Sequence, residues 1–133
     1  MDRNNLTLEL LPDTYSICRL QPQADIPSWA LAGDFLSITR SKDELSLVCS
    51  QELVPHGVEC DKGWRCIKVR GPLDFSLVGI LASLTSSLAE VGISIFAIST
   101  FETDYLMVRA ENLKRTVVKL EEAGHEVVYQ ELQ

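Results

Sequence analysis

The sequence between Trp64 and Val128 predicts an α+β fold, because its apolar segments follow the order strand, helix, strand, strand, helix, strand. Residues 64–70 alternate between polar and apolar side chains, as a half-buried strand does. Residues 77–91 instead repeat apolar side chains every three or four positions, as an amphipathic helix does. Short connections between such elements favour a four-stranded antiparallel sheet with both helices on one face.

The first strand is expected to end at Gly71-Pro72, since proline cannot donate to a sheet ladder. Asp74 can then cap a helix over residues 75–91. Gly92 follows where a left-handed residue commonly ends a helix. Ile93–Ile98 is rich in strand formers and apolar on both faces, which is typical of a central strand.

The remaining elements complete the unit. A turn at Thr100–Asp104 precedes a strand over Tyr105–Val108. A second amphipathic helix is predicted between residues 112 and 123, with Gly124 ending it, and Glu126–Tyr129 supplies the last strand. This order is the ferredoxin-like βαββαβ arrangement.

The first half of the chain has the pattern of an abbreviated copy of the second. We therefore predict two units, residues 1–62 and residues 63–133, without a flexible linker between them. The repeat rests on matching element order and hydrophobic pattern, because the identities alone are near chance. Prolines 22 and 27 lie where a long crossover helix would be, so the first unit has a shortened crossover. A further strand is expected at Leu6–Leu11, and a tight turn at Ser41–Glu44.

Length and charge exclude several classes of function. A chain of 133 residues suits one compact domain or two very small units that share a core. Its net charge of −7 offers no basic footprint for nucleic acid or for an anionic membrane surface. No apolar run approaches the roughly 18 residues of a membrane span, and Met1–Asn5 lacks the apolar core of a signal peptide. We therefore expect a cytoplasmic protein.

The cysteines form no Cys-x-x-Cys pair, although the chain has four of them, at positions 18, 49, 60 and 66. Their apolar flanks favour buried, reduced thiols over metal or redox chemistry. His56 and His125 are too few and too distant from any cysteine pair to indicate a zinc site. Neither a metal nor a cofactor is expected.

A candidate ligand site follows from the predicted topology. The strand-to-helix turn at residues 71–76 and the strand end at residues 98–104 are expected to meet at one edge of the sheet. The first turn of a helix offers unpaired N–H groups and the positive end of its dipole, which suit a carboxylate. Asp104 could neutralise an α-ammonium group or a basic side chain at the other end. The alternatives are a plain helix cap for Asp74 and a solvated turn residue for Asp104.

Three segments resemble the ACT-domain family: Gly71-Pro72-Leu73-Asp74-Phe75-Ser76, then Gly92-Ile93-Ser94-Ile95-Phe96-Ala97-Ile98-Ser99-Thr100, then Thr103-Asp104-Tyr105. The resemblance is strong over residues 63–128 and weaker over residues 5–62. It implies βαββαβ units that bind amino acids and regulate enzymes. The nearest pattern is that of small stand-alone proteins with two tandem ACT-like units and no catalytic domain.

The resemblance also implies a set of ligand-binding residues. The family's ligand loop falls on Leu73, Asp74, Phe75 and Ser76, and contacts at the end of the second strand fall on Thr100, Phe101 and Asp104. Pro72 and Ile98 belong to the same two segments. Phe75 and Phe101 could instead be core residues, which is the more common role of large aromatic side chains.

Two hypotheses of function follow. The first is a non-catalytic regulatory protein that binds a small molecule, most simply an amino acid, and signals to a protein partner. The second is a ligand-free interaction module that forms a homodimer through open sheet edges. Catalysis is disfavoured: Ser76, His125 and Asp104 supply the residue types of a triad, but the topology places His125 at the opposite end of a helix from Ser76.

Overall fold

The computed structural model of the protein describes residues 5–71 and 79–130. The chain divides into two compact units: the N-terminal unit is Asp13–Trp64, and the C-terminal unit is Met1–Pro12 together with Arg65–Gln133. Residues 5–12 therefore group with the second half of the chain, whereas the division into units 1–62 and 63–133 stays a prediction. The helices and strands are β1 (Thr7–Leu20), β2 (Ser37–Arg40), β3 (Leu45–Ser50), β4 (Cys60–Val69), α1 (Ile80–Glu90), β5 (Ile95–Ser99), β6 (Asp104–Arg109), α2 (Leu113–Glu122) and β7 (Glu126–Tyr129).

The C-terminal unit has the predicted ferredoxin-like α+β arrangement. Its strands follow the order β7-β1-β4-β6-β5. Alternate residues of a strand point to one side, so Ile67 and Val69 of β4 share the face against which the helices pack. Leu84 and Leu88 of α1 and Leu120 of α2 are buried in the same cluster. Burial of one such leucine stabilises the fold by roughly 1.5–3 kcal/mol.

In the described residues, 5–71 and 79–130, this sheet contains five strands, one more than the four predicted. Thr7–Leu10 of β1 pairs in parallel with β7, from Thr7↔Glu126 to Leu10↔Tyr129. The strand expected at Leu6–Leu11 is thereby confirmed as part of the longer β1. It joins this sheet because Leu8 and Leu10 are buried in the core beneath the two helices.

Helix α1, Ile80–Glu90, covers part of the predicted helix over residues 75–91, of which residues 75–78 lie outside the described part of the chain. Its described part begins at Ile80, after Gly79 with φ +85°. That left-handed conformation is incompatible with a continuous helix through residue 79, and glycine adopts it without steric cost. The predicted apolar stripe is confirmed at its buried positions Ile80, Leu84 and Leu88. Gly92 has φ +74°, as expected for the residue that ends the helix.

The N-terminal unit is a sheet in the order β2-β3-β1-β4. The predicted tight turn is confirmed, since the Ser41 N–H group donates to the Glu44 carbonyl at 2.9 Å. Residues 21–36, all of them described, form one 3-10 helix at Ser28–Ala32 and no α-helix, which confirms the shortened crossover. Within the described parts of the chain, no helix is both long and apolar enough to span a bilayer.

Candidate ligand site

The turn between β5 and β6 is a tight hairpin closed by its two threonines. The Thr100 N–H group donates to the Thr103 carbonyl at 2.8 Å. The Thr100 hydroxyl donates to the same carbonyl at 3.1 Å and accepts from the Thr103 N–H group at 3.3 Å. Phe101 and Glu102 therefore form the exposed tip of the turn.

Asp104 lies at the base of this hairpin, directly opposite Ser99. The Ser99 hydroxyl donates to Oδ1 of Asp104 at 2.5 Å, which fixes the orientation of the carboxylate. A carboxylate offers about four acceptor positions, so one such bond leaves capacity for a ligand. Strand alternation places Asp104 on the same face as Leu106, which belongs to the core beneath the helices. The half-buried carboxylate is thus on the helix-bearing face of the sheet.

Thr103 connects the hairpin to the strand that leads into the predicted ligand loop. Its side chain is 4% exposed, and its hydroxyl donates to the Val69 carbonyl at the end of β4. Val69 is followed by Arg70 and Gly71, after which residues 72–78 lie outside the described part of the chain. Thr103 of the 98–104 segment is therefore bonded to Val69, two residues before Gly71, and the predicted meeting of the two segments stays a prediction.

The other described end of the loop is the start of α1. The Ser83 N–H group donates to the Gly79 carbonyl at 2.8 Å, which begins the helical hydrogen bonding. The first turn of α1 contains no acidic side chain. The N–H groups of that turn, at the positive end of the helix dipole, suit an anionic group.

The structure describes some of the predicted site residues and not others. Thr100 is exposed and Asp104 is half-buried. Ile98 pairs with Tyr105, so it points to the opposite face from Asp104. Pro72, Leu73, Asp74, Phe75 and Ser76 lie outside the described residues.

The core alternative for Phe101 is wrong, because its side chain is 85% exposed at the tip of a two-residue turn. Sequence reasoning also missed two residues that organise the turn, Ser99 and Thr103. A hairpin with Thr100 and Thr103 as its closing pair makes Ser99 and Asp104 the next cross-strand pair. The short distance between β5 and β6 in the sequence could therefore have identified Ser99.

His125, the third residue type considered for a triad, has a structural partner. Its Nδ1 atom accepts a hydrogen bond from the Leu6 N–H group at 3.1 Å. Burial lowers the pKa of this imidazole below its ordinary value of 6.5. Among residues 5–71 and 79–130, no three His, Cys, Asp or Glu side chains are grouped closely enough to hold a metal ion.

Comparison with known proteins identifies the family. The ACT domain family model matches residues 59–122, and the model of an N-terminal domain matches residues 13–57. A crystal structure of a protein from Agrobacterium tumefaciens is 41% identical, with 98% of each chain covered and a TM-score of 0.91. The chain belongs to the ACT-domain family. This membership supports a regulatory, ligand-binding role at the general level.

Two further structures have similar folds. A Vibrio cholerae protein of unknown function, described as a possible transport protein, is 25% identical over 90% of each chain, with a TM-score of 0.73. The ligand-free regulatory subunit of aspartate kinase from Thermus thermophilus has a TM-score of 0.58 at 16% identity, with 84% of this chain and 93% of that chain covered. This second likeness establishes the fold alone. Among proteins with curated descriptions, none matches the chain.

Proposed function

We propose that the protein is a non-catalytic sensor that binds an amino acid between segments 71–76 and 98–104 and passes its state to a protein partner. The observation that supports this most directly is the orientation of Asp104. Ser99 holds its carboxylate on the helix-bearing face, and Thr103 ties the same turn to the strand that enters the 71–76 loop. The carboxylate of Asp104 and the end of β4 that leads into residues 71–76 are therefore both held at the same turn.

The proposed binding mode uses charge of opposite sign at the two ends of the ligand. The α-carboxylate of the amino acid would accept hydrogen bonds from backbone N–H groups at the start of α1. Its α-ammonium group, or a basic side chain, would donate to Asp104. Thr100 lies at the same strand end and could add a hydroxyl contact. Leu73, Asp74, Phe75 and Ser76 remain proposed contacts from the loop.

A thermal-shift screen of the twenty amino acids with the full chain tests this function. A ligand at about 100 times its dissociation constant stabilises the folded protein by about 2.7 kcal/mol, which raises the melting temperature by several degrees. Asp104→Asn is expected to abolish the shift, because the neutral amide cannot balance the ammonium charge. Asp43→Asn, in the exposed turn of the N-terminal unit, is the matched control and should retain it. A flat screen, or an undiminished shift in Asp104→Asn, would contradict the proposal.

A second candidate function is supported by the position of β5. In the part of the chain that the structure describes, β5 is the last strand in the order of its sheet and pairs only with β6. An edge of this kind can pair with a second copy of the chain, giving a homodimeric interaction module. Light scattering across a range of concentrations measures this directly. A dimer combined with a flat amino-acid screen would favour this candidate over the sensor.

A further inference from the structure

The N-terminal unit gathers three cysteines on adjacent strands. Cys18 lies on β1, Cys49 on β3 and Cys60 on β4. Cys49 and Cys60 are both close enough to the Cys18 thiol to affect its pKa. Cys66, the fourth cysteine, belongs to the C-terminal unit. The sequence alone did not indicate this cluster, because its members come from three separate segments.

Strand pairing places Cys18 directly opposite Cys60. The Arg19 N–H group donates to the Glu59 carbonyl at 3.0 Å, and the Ser16 hydroxyl donates to the Asp61 carbonyl at 3.4 Å. The two strands therefore run antiparallel, with Arg19 and Glu59 as a hydrogen-bonded pair. The adjacent pair, Cys18 and Cys60, then occupies a non-hydrogen-bonded position, where Cα atoms are about 4.5 Å apart. Disulfides need a Cα separation of roughly 4.4–6.8 Å, so this position can accept one.

A cavity gives small molecules access to this pair. Its volume is about 220 Å³, and both Cys18 and Cys60 line it. Cys60 is half-buried, whereas Cys18 is 1% exposed. Three acidic residues, Glu44, Glu59 and Asp61, and one basic residue, Arg19, also line the cavity. The net negative charge of this lining disfavours anionic oxidants such as glutathione disulfide and leaves neutral hydrogen peroxide as the favoured reagent.

We infer that hydrogen peroxide converts Cys18 and Cys60 into a reversible disulfide. The Cys60 thiolate attacks one peroxide oxygen, the O–O bond breaks, and the leaving hydroxide takes up a proton to become water. The Cys18 sulfur then attacks the Cys60 sulfur of the sulfenic acid, the S–O bond breaks, and the Cys18 proton joins the leaving hydroxide to form a second water. The two thiols lose two electrons and two protons, and one peroxide is reduced to two waters.

Burial assigns the order of the two steps. Desolvation raises the pKa of the Cys18 thiol and raises that of Cys49 to about 12, so both thiols stay protonated at neutral pH. Cys60 is the more accessible sulfur and reacts first. Cys18 is the resolving thiol because it lies directly across from Cys60 on the neighbouring strand, whereas Cys49 lies on β3, on the other side of β1, directly opposite Ser16.

The experiment uses the full chain, reduced and then treated with hydrogen peroxide. Remaining thiols are alkylated under denaturing conditions, and peptides are mapped by mass spectrometry. We expect two of the four thiols to be lost, a linked peptide pair containing Cys18 and Cys60, and recovery of all thiols with dithiothreitol. Cys60→Ala should prevent the linkage, whereas Cys49→Ala and Cys66→Ala should retain it.

Several results would overturn the inference. These are a Cys18–Cys49 linkage, a disulfide between chains, or full alkylation of Cys60 after peroxide treatment of the folded protein. Circular dichroism establishes that each variant is folded before treatment. If Cys60→Ala does not fold, peptide mapping of the wild-type chain decides the matter alone, because it identifies the linked residues directly.

Discussion

Replacement of Thr103 by valine tests whether the hydrogen bond from Thr103 to Val69 holds the turn between β5 and β6 against the end of β4. Valine keeps the shape of threonine but removes the hydroxyl that donates to the Val69 carbonyl. Thr103 is 4% exposed and Val69 is fully buried, so water cannot easily replace the lost donor. An unsatisfied buried acceptor of this kind costs about 1–3 kcal/mol in the free energy of unfolding. For a chain of this length the melting temperature should fall by roughly 3–5 °C per kcal/mol.

Thr103→Ser is the matched control, because it keeps the hydroxyl and removes only a methyl group. Its expected loss is about 0.8 kcal/mol, the contribution of one buried methyl or methylene group. Urea unfolding followed by circular dichroism measures both variants. The predicted order of stability is wild type, then serine, then valine. A valine variant as stable as the wild type, or more stable than the serine variant, would refute the role assigned to this hydrogen bond.

Further predictions concern the C-terminal unit. Burial lowers the pKa of His125, and its neutral imidazole accepts a hydrogen bond from the Leu6 N–H group. The contribution of His125 to the free energy of unfolding should therefore be full above pH 6.5 and fall as the pH drops below that value. Melting curves of His125→Asn should lack this pH dependence. The hydrogen bond from Arg70 lowers the pKa of Glu9 below its ordinary 4.5, so this contribution is present above pH 4.5 and lost in acid. Glu9→Gln should cost at most about 1 kcal/mol at neutral pH in urea unfolding, since Arg70 is exposed. Leu84→Ala should cost about 2–5 kcal/mol in the same assay, and a loss below 1 kcal/mol would contradict its place in the core.

The proposed disulfide has its own thermodynamic consequence. A bond between Cys18 and Cys60 would close a long loop and so restrict the unfolded chain. Peroxide-treated protein should therefore be more stable than reduced protein by about 2–4 kcal/mol. Differential scanning calorimetry with and without dithiothreitol measures the difference. Equal stability of the two forms, after the linkage has been established by peptide mapping, would contradict this expectation.

The sequence was most informative where structure depends on local pattern. The stripe of α1, the left-handed Gly92 and the turn at Ser41–Glu44 follow from residues close together in the chain, and each was predicted. The pairing of Thr7–Leu10 with β7 was not predicted, since it joins residues from opposite ends of the chain. No local pattern indicates that β1 lies between β7 and β4 in the sheet.

In the candidate site, too, the features set by neighbouring residues were predicted and those set by distant residues were not. The carboxylate of Asp104 was placed correctly at a strand end, because a strand followed by a short turn and a second strand predicts a hairpin. The hydrogen bond from Thr103 to Val69 was not predicted, because it depends on which strand neighbours β6 and on the direction of one hydroxyl group. Exposure of Phe101 depends on the turn being only two residues long, which aromatic composition does not indicate.

Nuclear magnetic resonance of the labelled chain tests the location of ligand binding most directly. The amino acid that gives the largest thermal shift is titrated, and backbone amide shifts are followed residue by residue. The prediction is that the largest changes fall in residues 71–83 and 98–104, with saturation at one bound ligand per chain. Changes confined to the N-terminal unit, or none at millimolar amino acid, would contradict it.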